Sequence, residues 1–498
     1  MKRRDNFFKF NFTCPFLLAL LCLISVDLYG APISPGEATA IADLWYAMEL
    51  NSGYLNISDT ERADRFTNMG NRQVLYMVSK DELVEEYPAE RPVLAYIVKY
   101  NPKGFVVVSG DDRIEPLMVC SVESKFRWDQ PKLNFLRYYL GKVMPALWFN
   151  MPAQIHKNWS LLRRKLSESR DKVTYDNIGK AVYVLWATAT WHQGNFYNDT
   201  CQAHNGNNNV PTGCVATAMA IKMRFHSWPQ TGNGSHTYSD TFGTIQYDHS
   251  VDYSAQSYNW AAMPTESLTS ANSGVARITY HAGVSVDMNY ELGGSGAYTE
   301  DAGPTLNSHF RYRGTLGIYD TTGPGAHEPR MRTSIIGKLP VQIGGSGHSV
   351  VTDGYRDDIA NRWHINCGWN GANNGWYRLD SLPWSGGGVI TKSCPYGQPN
   401  NWIYVDKNYS GTEDGRIAYP YNTLLEGEAS TINEGELLIK TGTYTGTSNV
   451  PITFDNAVAI RAYAGDVVVG QNLWLKNYEA IKLNGNGQLK ITPAKKSK

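Results

Sequence analysis

Apolar positions recur along this chain with more than one period, and each change of period marks a change of element. Ser34-Pro35-Gly36-Glu37 has the form of a capping box with proline at the first helical position. Ile41, Leu44, Trp45 and Met48 follow at helical spacing and predict a short amphipathic helix. Two continuous apolar runs, Val93 to Val98 and Phe105 to Val108, flank Asn101-Pro102-Lys103-Gly104 and predict a hairpin. From Ile155 to Lys172 a mostly helical pattern carries Arg163, Arg164, Lys165, Glu168, Arg170, Asp171 and Lys172. It reads as an exposed connector whose basic residues invite cleavage between about Arg163 and Lys180. Val215 to His226 predicts a helix that ends before Pro229, and Leu339 to Ile343 and Ser349 to Gly354 predict successive strands. Past Trp402, short apolar runs at 436–439, 458–460, 466–469 and 473–475 are punctuated by Gly435, Gly442, Gly465 and Gly470, which predicts a small all-β tail.

The first residues follow none of these patterns. Lys2, Arg3, Arg4 and Lys9 precede the apolar run Phe16 to Ile24, and the small residues Gly30 and Ala31 come next, the form of an export signal cleaved near Gly30. The run is shorter than the ~20 residues a spanning helix needs. The expectation is a secreted chain without a stable membrane span once the signal is gone, an uncleaved anchor being the alternative.

Length and charge narrow the rest. A chain of 498 residues should divide into roughly two to four domains. Lys+Arg and Asp+Glu both number 46, so no global field favours nucleic acid, and none is expected as a partner. Of seven cysteines, Cys14 and Cys22 leave with the signal, and the others show no spacing typical of a metal knuckle or disulfide framework. No metal and no other cofactor is expected, and disulfides stay unassigned.

The candidate chemistry lies between the connector and the tail. In Val210-Pro-Thr-Gly-Cys214-Val-Ala-Thr a turn runs straight into a helical pattern, which puts a thiol on the first turn of a helix. Far downstream Gly344-Gly345-Ser346-Gly347-His348 delivers an imidazole at the start of a strand. A thiolate is the reactive form of cysteine, and a helix N-terminus with a nearby imidazolium lowers the thiol pKa. Cys214 and His348 are therefore read as nucleophile and base.

Several motifs in order resemble the streptopain family of bacterial papain-like cysteine peptidases. They are Gly213-Cys214-Val215-Ala216-Thr217-Ala218, Gly347-His348 with Asp353-Gly354-Tyr355, and His364-Ile-Asn-Cys-Gly-Trp369 before Gly375-Trp-Tyr-Arg-Leu-Asp380. The earlier Gly104-Phe-Val-Val-Val-Ser-Gly110-Asp111 is similar to the family's propeptide. The resemblance, over roughly residues 31 to 400, implies a secreted endopeptidase made as a zymogen, with polypeptides as substrates and its own propeptide as inhibitor. It implies an α+β fold: a papain-like two-part catalytic domain, an α+β prodomain and a small C-terminal all-β module. It also implies that Gln193 joins the Cys214 N–H in an oxyanion hole. The imidazole would be oriented by Asn366 or by Trp369 packing, since Cys367 stands where relatives have tryptophan. Gly294, Ser295 and Gly296, with Gly347, fall where family members bind substrate, whose preferred residue second from the cut bond is apolar.

The expected division is a signal at 1–30, an inhibitory propeptide at 31–172, a catalytic domain at 173–402 and an accessory module at 403–498. The run Gly442-Thr-Tyr444 followed by Val458 to Tyr463 and Gly465 resembles the first coils of right-handed parallel β-helix proteins. A sandwich-like module is the other reading. Because every candidate catalytic residue precedes Trp402, the tail is expected to be dispensable for chemistry. Two other functions compete: transglutaminase-like acyl transfer, which Asn366 disfavours because that chemistry goes with an aspartate, and a secreted binding or adhesion protein with a degenerate peptidase core.

Overall fold

The structure, a computed structural model, describes residues 31–51, 57–128, 135–150, 152, 154–168, 183–185, 187–202, 209–313, 316–320, 327–336, 338–345, 347–356, 362–379, 387–391, 393–395, 402–413, 415, 420–431, 436–454, 459–470, 473–475, 480–482 and 489–491. The export signal, Ser346 and the expected cleavage segment from 169 onward lie outside the described residues. No helix among the described residues is long and apolar enough to cross a membrane.

The N-terminal region runs α1 (Pro35–Asn51), α2 (Asp59–Thr67), β1 (Gln73–Ser79), β2 (Glu82–Val84), β3 (Ala95–Lys99), β4 (Phe105–Ser109), β5 (Leu117–Ser121), α3 (Phe135–Phe149) and α4 (Lys157–Glu168). The Ser34 hydroxyl accepts from the Glu37 N–H at 3.2 Å, so α1 starts where its capping pattern put it. The expected hairpin is β3 and β4, with Lys99 opposite Phe105. Its apolar runs are continuous because both faces are covered. Val98, Val106 and Val108 share a core with Trp45 and Tyr46 of α1, while Ile97, Phe105 and Val107 pack with Leu136, Tyr139 and Leu140 of α3.

The middle of the chain supplies β6 (Tyr183–Leu185), α5 (Cys214–His226), the hairpin β7 (Ser235–Phe242) and β8 (Ile245–Asp252), α6 (Ser273–Ser285), α7 (Ala302–His309), β9 (Tyr312–Arg313), β10 (Leu316–Asp320) and α8 (Glu328–Ile336). Then follow β11 (Val341–Gly345), β12 (His348–Arg356), β13 (Arg362–Asn366), β14 (Gly375–Tyr377), β15 (Gly387–Thr391) and β16 (Cys394–Pro395). One antiparallel sheet takes the order β10, β15, β11, β12, β13, β14, β5, β4, β3, β1, β2, and β6 pairs with the far end of β12. Every residue of β12 is buried. Val351 faces a core built on Val215, Met219 and Met223 of α5 with Val275 and Ile278 of α6, and Val350 faces Met331 and Ile335 of α8. The fold is α+β, one half helical around Cys214 and the other a sheet that starts a strand at His348.

The sheet does not stop at the catalytic region. Trp376 pairs with Cys120 and Tyr377 with Val119, which joins β14 to β5 of the N-terminal region. Tyr139 of α3 stands edge-on to Tyr377 at 5.4 Å. Buried and half-buried charges cross the same seam. Arg356 meets Glu49 at 2.8 Å, Arg362 and Arg378 approach Glu115 at 3.7 and 3.8 Å, and Arg362 donates to the Leu117 carbonyl at 2.6 Å. The N-terminal region thus shares both backbone and core with the region that carries the candidate nucleophile.

The tail holds β17 (Trp402–Val405), α9 (Leu424–Ala429), β18 (Glu436–Tyr444), β19 (Ile452–Phe454), β20 (Ala459–Val469) and β21 (Leu473–Leu475), with short strands at Ala480–Lys482 and Leu489–Ile491. β17, β18 and β20 stack in parallel, Trp402 beside Glu436 and Glu436 beside Ala459, the arrangement the coil-like sequence suggested. Residues 459–460 and 466–469 fall in one strand and not two. The short helix α9, closed by a Thr423 and Glu426 capping box, is an element the sequence reading missed.

Trp402, placed by sequence with the catalytic domain, opens the tail's first strand. The tail lies against the body. Tyr404, Leu438 and Tyr463 share a core with Met331 and Ile335, Trp402 stacks on Phe225 at 6.0 Å, and buried Glu436 pairs with both Lys338 and Arg461. Ending the chain at Asn401 should therefore lower the unfolding free energy of the remainder by about 2 kcal/mol or more, because it returns the apolar faces of Met331 and Ile335 to water. Denaturant titration of the two chains measures it, and equal midpoints would mean that the tail folds independently.

Candidate active site

Cys214 is the first residue of α5, preceded by Gly213 at φ +86°, a conformation that side chains beyond glycine rarely adopt. A Cβ there would also stand 2.6 Å from the Met288 sulfur. Thr217 fixes the turn, its hydroxyl donating to the Gly213 carbonyl at 2.9 Å and lying 3.0 Å from the Thr212 hydroxyl. Sequence thus places the thiol among the unpaired N–H groups that open a helix. Burial raises the Cys214 pKa, and backbone N–H donation from Ser349, Val215 and Cys214 itself opposes that rise without cancelling it.

His348 opens β12 opposite Gly345, after the exposed Gly347 at φ +93°. Its Nε2 lies 3.2 Å from the Cys367 carbonyl and 3.2 Å from the Trp369 indole Nε1, and the two rings stack 16° from parallel. One nitrogen cannot serve both partners. With its proton on Nδ1 the ring accepts from the indole; with the proton on Nε2 it donates to the carbonyl. Burial pushes the imidazole down to about 4. No hydrogen bond joins His348 to Cys214, and the raised thiol and depressed imidazole both favour an uncharged pair.

The remaining sequence candidates divide. Trp369 is in contact with the imidazole, whereas Asn366 turns away. Its Nδ2 donates to the Thr188 hydroxyl and the Ala189 carbonyl at 2.9 Å each, and its Oδ1 accepts from Gly368 N–H at 3.1 Å. Gln193 lines the same closely packed gap as Cys214, together with Ser349 and Gly368, with no room for a water molecule between them. Ser295 is buried, donating to the Pro211 carbonyl at 2.6 Å, so its hydroxyl is occupied in bracing the approach to α5. Gly294 and Gly296 flank it, and Gly296 exchanges two backbone hydrogen bonds with Asn289. The Ser295 carbonyl and Gly213 pack closely, which brings the 293–296 loop to the start of the nucleophile helix. Cys367 is buried, its thiol 3.4 Å from the Asn373 carbonyl and pushed up to about 12, as suits an inert packing residue. Cys120, Cys201, Cys214 and Cys367 are all free thiols.

Sequence reading missed a buried polar chain behind the site. Thr188 bonds Asp353, and Asp353 accepts from His364 at 2.6 Å. Burial disfavours the His364 charge, but Asp353 more than offsets it and the imidazole pKa is raised. The signal was present, for Asp353 and His364 are ionisable residues in the middle of strands that are buried throughout.

Burial also holds His226 at about 3 and His281 at about 4. Unfolded, these groups and His348 would titrate near the ordinary histidine value of about 6.5. The unfolded chain then binds more protons between pH 6.5 and 4, and stability is lost as pH falls through that window. His348→Gln should remove about 3 kcal/mol of that acid loss by pH 4. Denaturant midpoints at pH 7 and at pH 4.5 read it, and an unchanged slope would mean that the imidazole is not shielded.

The model of the Peptidase C10 family matches residues 191–377, a span that holds Cys214, His348, Gln193, Asn366 and Trp369. The thiol protease/hemagglutinin PrtT of Porphyromonas gingivalis is 27% identical over 298 residues, covering 58% of this chain and 32% of that protein. Streptopain of Streptococcus pyogenes is 25% identical over 314 residues, covering 58% of this chain and 74% of that protein. The chain thus spans about a third of PrtT. Among solved structures, a prointerpain A fragment from Prevotella intermedia gives a TM-score of 0.49 at 25% identity, covering 61% of this chain and 96% of the fragment.

Proposed function

We propose, from the premise that this chain is a streptopain-like cysteine peptidase, that it is a secreted endopeptidase made as a zymogen and that Cys214 and His348 carry its chemistry. The observation that carries the assignment of roles is the thiol at the start of α5, beside the strand that begins with His348. In the working site the thiol proton passes to His348 and the sulfur attacks the scissile carbonyl carbon. Gln193, which lines one gap with Cys214, would join the Cys214 N–H in stabilising the developing oxyanion, where a well-aimed donor is worth about 3 kcal/mol. The carbon–nitrogen bond then breaks, the amine leaves with the proton from His348, and water releases the acid from the thioester.

Trp369 is the better candidate to orient His348, because it already touches the ring. Asn366 then acts through the turn it holds. The extended acyl side of the substrate would run along Gly294 to Gly296 and past Gly347, with an apolar residue second from the cut bond.

The zymogen reading is supported by the uncharged pair and by the seam. While β5 is paired to β14, the loop after β5 is bonded to the turn after Trp369, Arg127 N–H donating to Asn373 at 2.8 Å. Loss of the N-terminal region would free that turn and let the imidazole rotate from the Cys367 carbonyl toward the thiol.

Cys214→Ala should abolish hydrolysis of casein and of a short fluorogenic peptide, and should leave the chain unprocessed; wild-type-like turnover by this variant would refute the assignment. Gln193→Ala should fold normally and lose roughly 100-fold in rate. The pH dependence of alkylation gives a third measure. With the thiol pKa raised by burial, Cys214 in the intact chain should react slowly at neutral pH and faster toward alkaline pH. The processed enzyme should be labelled rapidly at and below neutrality, because an ion pair with His348 keeps the thiolate. Identical profiles for the two forms would remove the zymogen part of the reading.

A further inference from the structure

One fully buried side chain beside the nucleophile bonds to both halves of the catalytic region. Gln342 of β11 lies opposite Val351 and therefore shares with Val351 and Ser349 the face of the sheet that packs on α5. Its Nε2 donates to the Val215 carbonyl at 3.3 Å and to the Ser349 hydroxyl at 3.0 Å, which uses both hydrogens of the amide. Because a carbonyl only accepts, the Val215 contact fixes which way the amide points. Its Oε1 has no hydrogen-bond partner among the described residues.

The two residues it bonds are the two that reach the sulfur from opposite sides of the fold. Val215, in the first turn of the nucleophile helix, and Ser349, next to His348 on β12, each direct a backbone N–H at Cys214. Neither needs the glutamine for its own satisfaction. The Val215 carbonyl lies inside a helix, where the N–H four residues on serves it, and the Ser349 hydroxyl also reaches the Ile343 carbonyl at 3.5 Å. An amide buried with its oxygen unpaired costs stability, and an apolar side chain of the same length would avoid that cost. What such a side chain would not supply is a fixed spacing between the two N–H groups. We propose that Gln342 is a positioning residue for the nucleophile: it clamps the Val215 and Ser349 N–H groups about Cys214 so that both serve the sulfur when the proton leaves. The clamp also fixes the backbone beside His348, so that the ring can turn without carrying the strand with it. The proposal rests on the peptidase reading, which makes Cys214 the nucleophile.

Few other groups bear on the charge of that sulfur. The described residues that line the gap with Cys214 include no Lys, Arg, Asp, Glu or His, and the second thiol among them, Cys367, is held at about 12. The pH dependence of the site then follows Cys214 and His348, which opens the strand that Ser349 continues.

Gln342→Met keeps the length of the side chain and removes the amide. Alkylation of the intact chain by iodoacetamide, read by mass spectrometry on the Cys214 peptide, should move to higher pH by about one unit, the effect of weakening a hydrogen bond to a charged sulfur. Cys120, Cys201 and Cys367 are buried and held at about 12, so their labelling does not overlap. In the processed enzyme kcat on a short fluorogenic peptide should fall about tenfold with KM unchanged, and the acid limb of the kcat/KM profile should move the same way. The thermal midpoint should stay level or rise, because the unpaired oxygen is gone; a merely structural role would lower it. Ser349→Ala should shift alkylation in the same direction, and adding it to Gln342→Met should change nothing further, because both cut one link. Superimposable alkylation profiles, a double variant whose shift is the sum of the two, or a rate loss that follows a drop in thermal midpoint overturns the proposal. Alkylation is read whether or not the chain cuts peptides. Failure of the processed wild-type chain to hydrolyse casein therefore sinks the peptidase reading, and a missing shift sinks the clamp alone.

Discussion

The structure depends on the antiparallel pairing of a three-residue strand, Gly375 to Tyr377, with Leu117 to Ser121. Without it the molecule would be two sheets with two open edges. With it, the strand that starts at His348 lies deep in one sheet, covered on one face by the nucleophile helix and on the other by α8. Strand positions buried on both faces tolerate little movement, because a slip of one residue sends each side chain to the wrong core. The direction of His348, and with it the geometry of the site, is therefore set partly by segments more than two hundred residues earlier in the chain.

The site itself rests on a contest between solvation and pairing. Helix N–H groups lower the cost of a thiolate, yet burial of Cys214 raises it further, and the His348 ring is engaged with a carbonyl and an indole and not with the sulfur. Both groups stay neutral for the same reason, shielding from water. A small ring rotation that exchanges those neutral contacts for an ion pair would change the charge state of both together, which is how a latent site can be complete in composition and still idle.

Local rules made much of this legible. The helix start capped by Ser34, the hairpin through Gly104, the helix opened by Cys214 and the strand opened by His348 each follow from a few adjacent residues. What sequence could not supply was long-range pairing. Nothing in Gly375-Trp-Tyr names Cys120 and Val119 as partners, and nothing in Asn366 says that its amide turns to Thr188 and leaves the imidazole to Trp369. Trp402, read as the end of the catalytic span, begins the strand that pairs with Glu436 to Ile439, and an aromatic residue at a seam reads the same from either side. The helix at Leu424 to Ala429 was missed because six residues are too few to show a period.

The three arginines at the seam bear on solubility. If the N-terminal region departs, Arg356, Arg362 and Arg378 lose Glu49 and Glu115 and stand beside a bare strand edge. An unpaired edge ordinarily recruits other strands and seeds aggregation, and flanking cations are a common protection against it. The charges that fasten the intact molecule would then repel a second copy presenting the same arginines, so the bond that closes the seam also leaves behind a guard for the edge it uncovers.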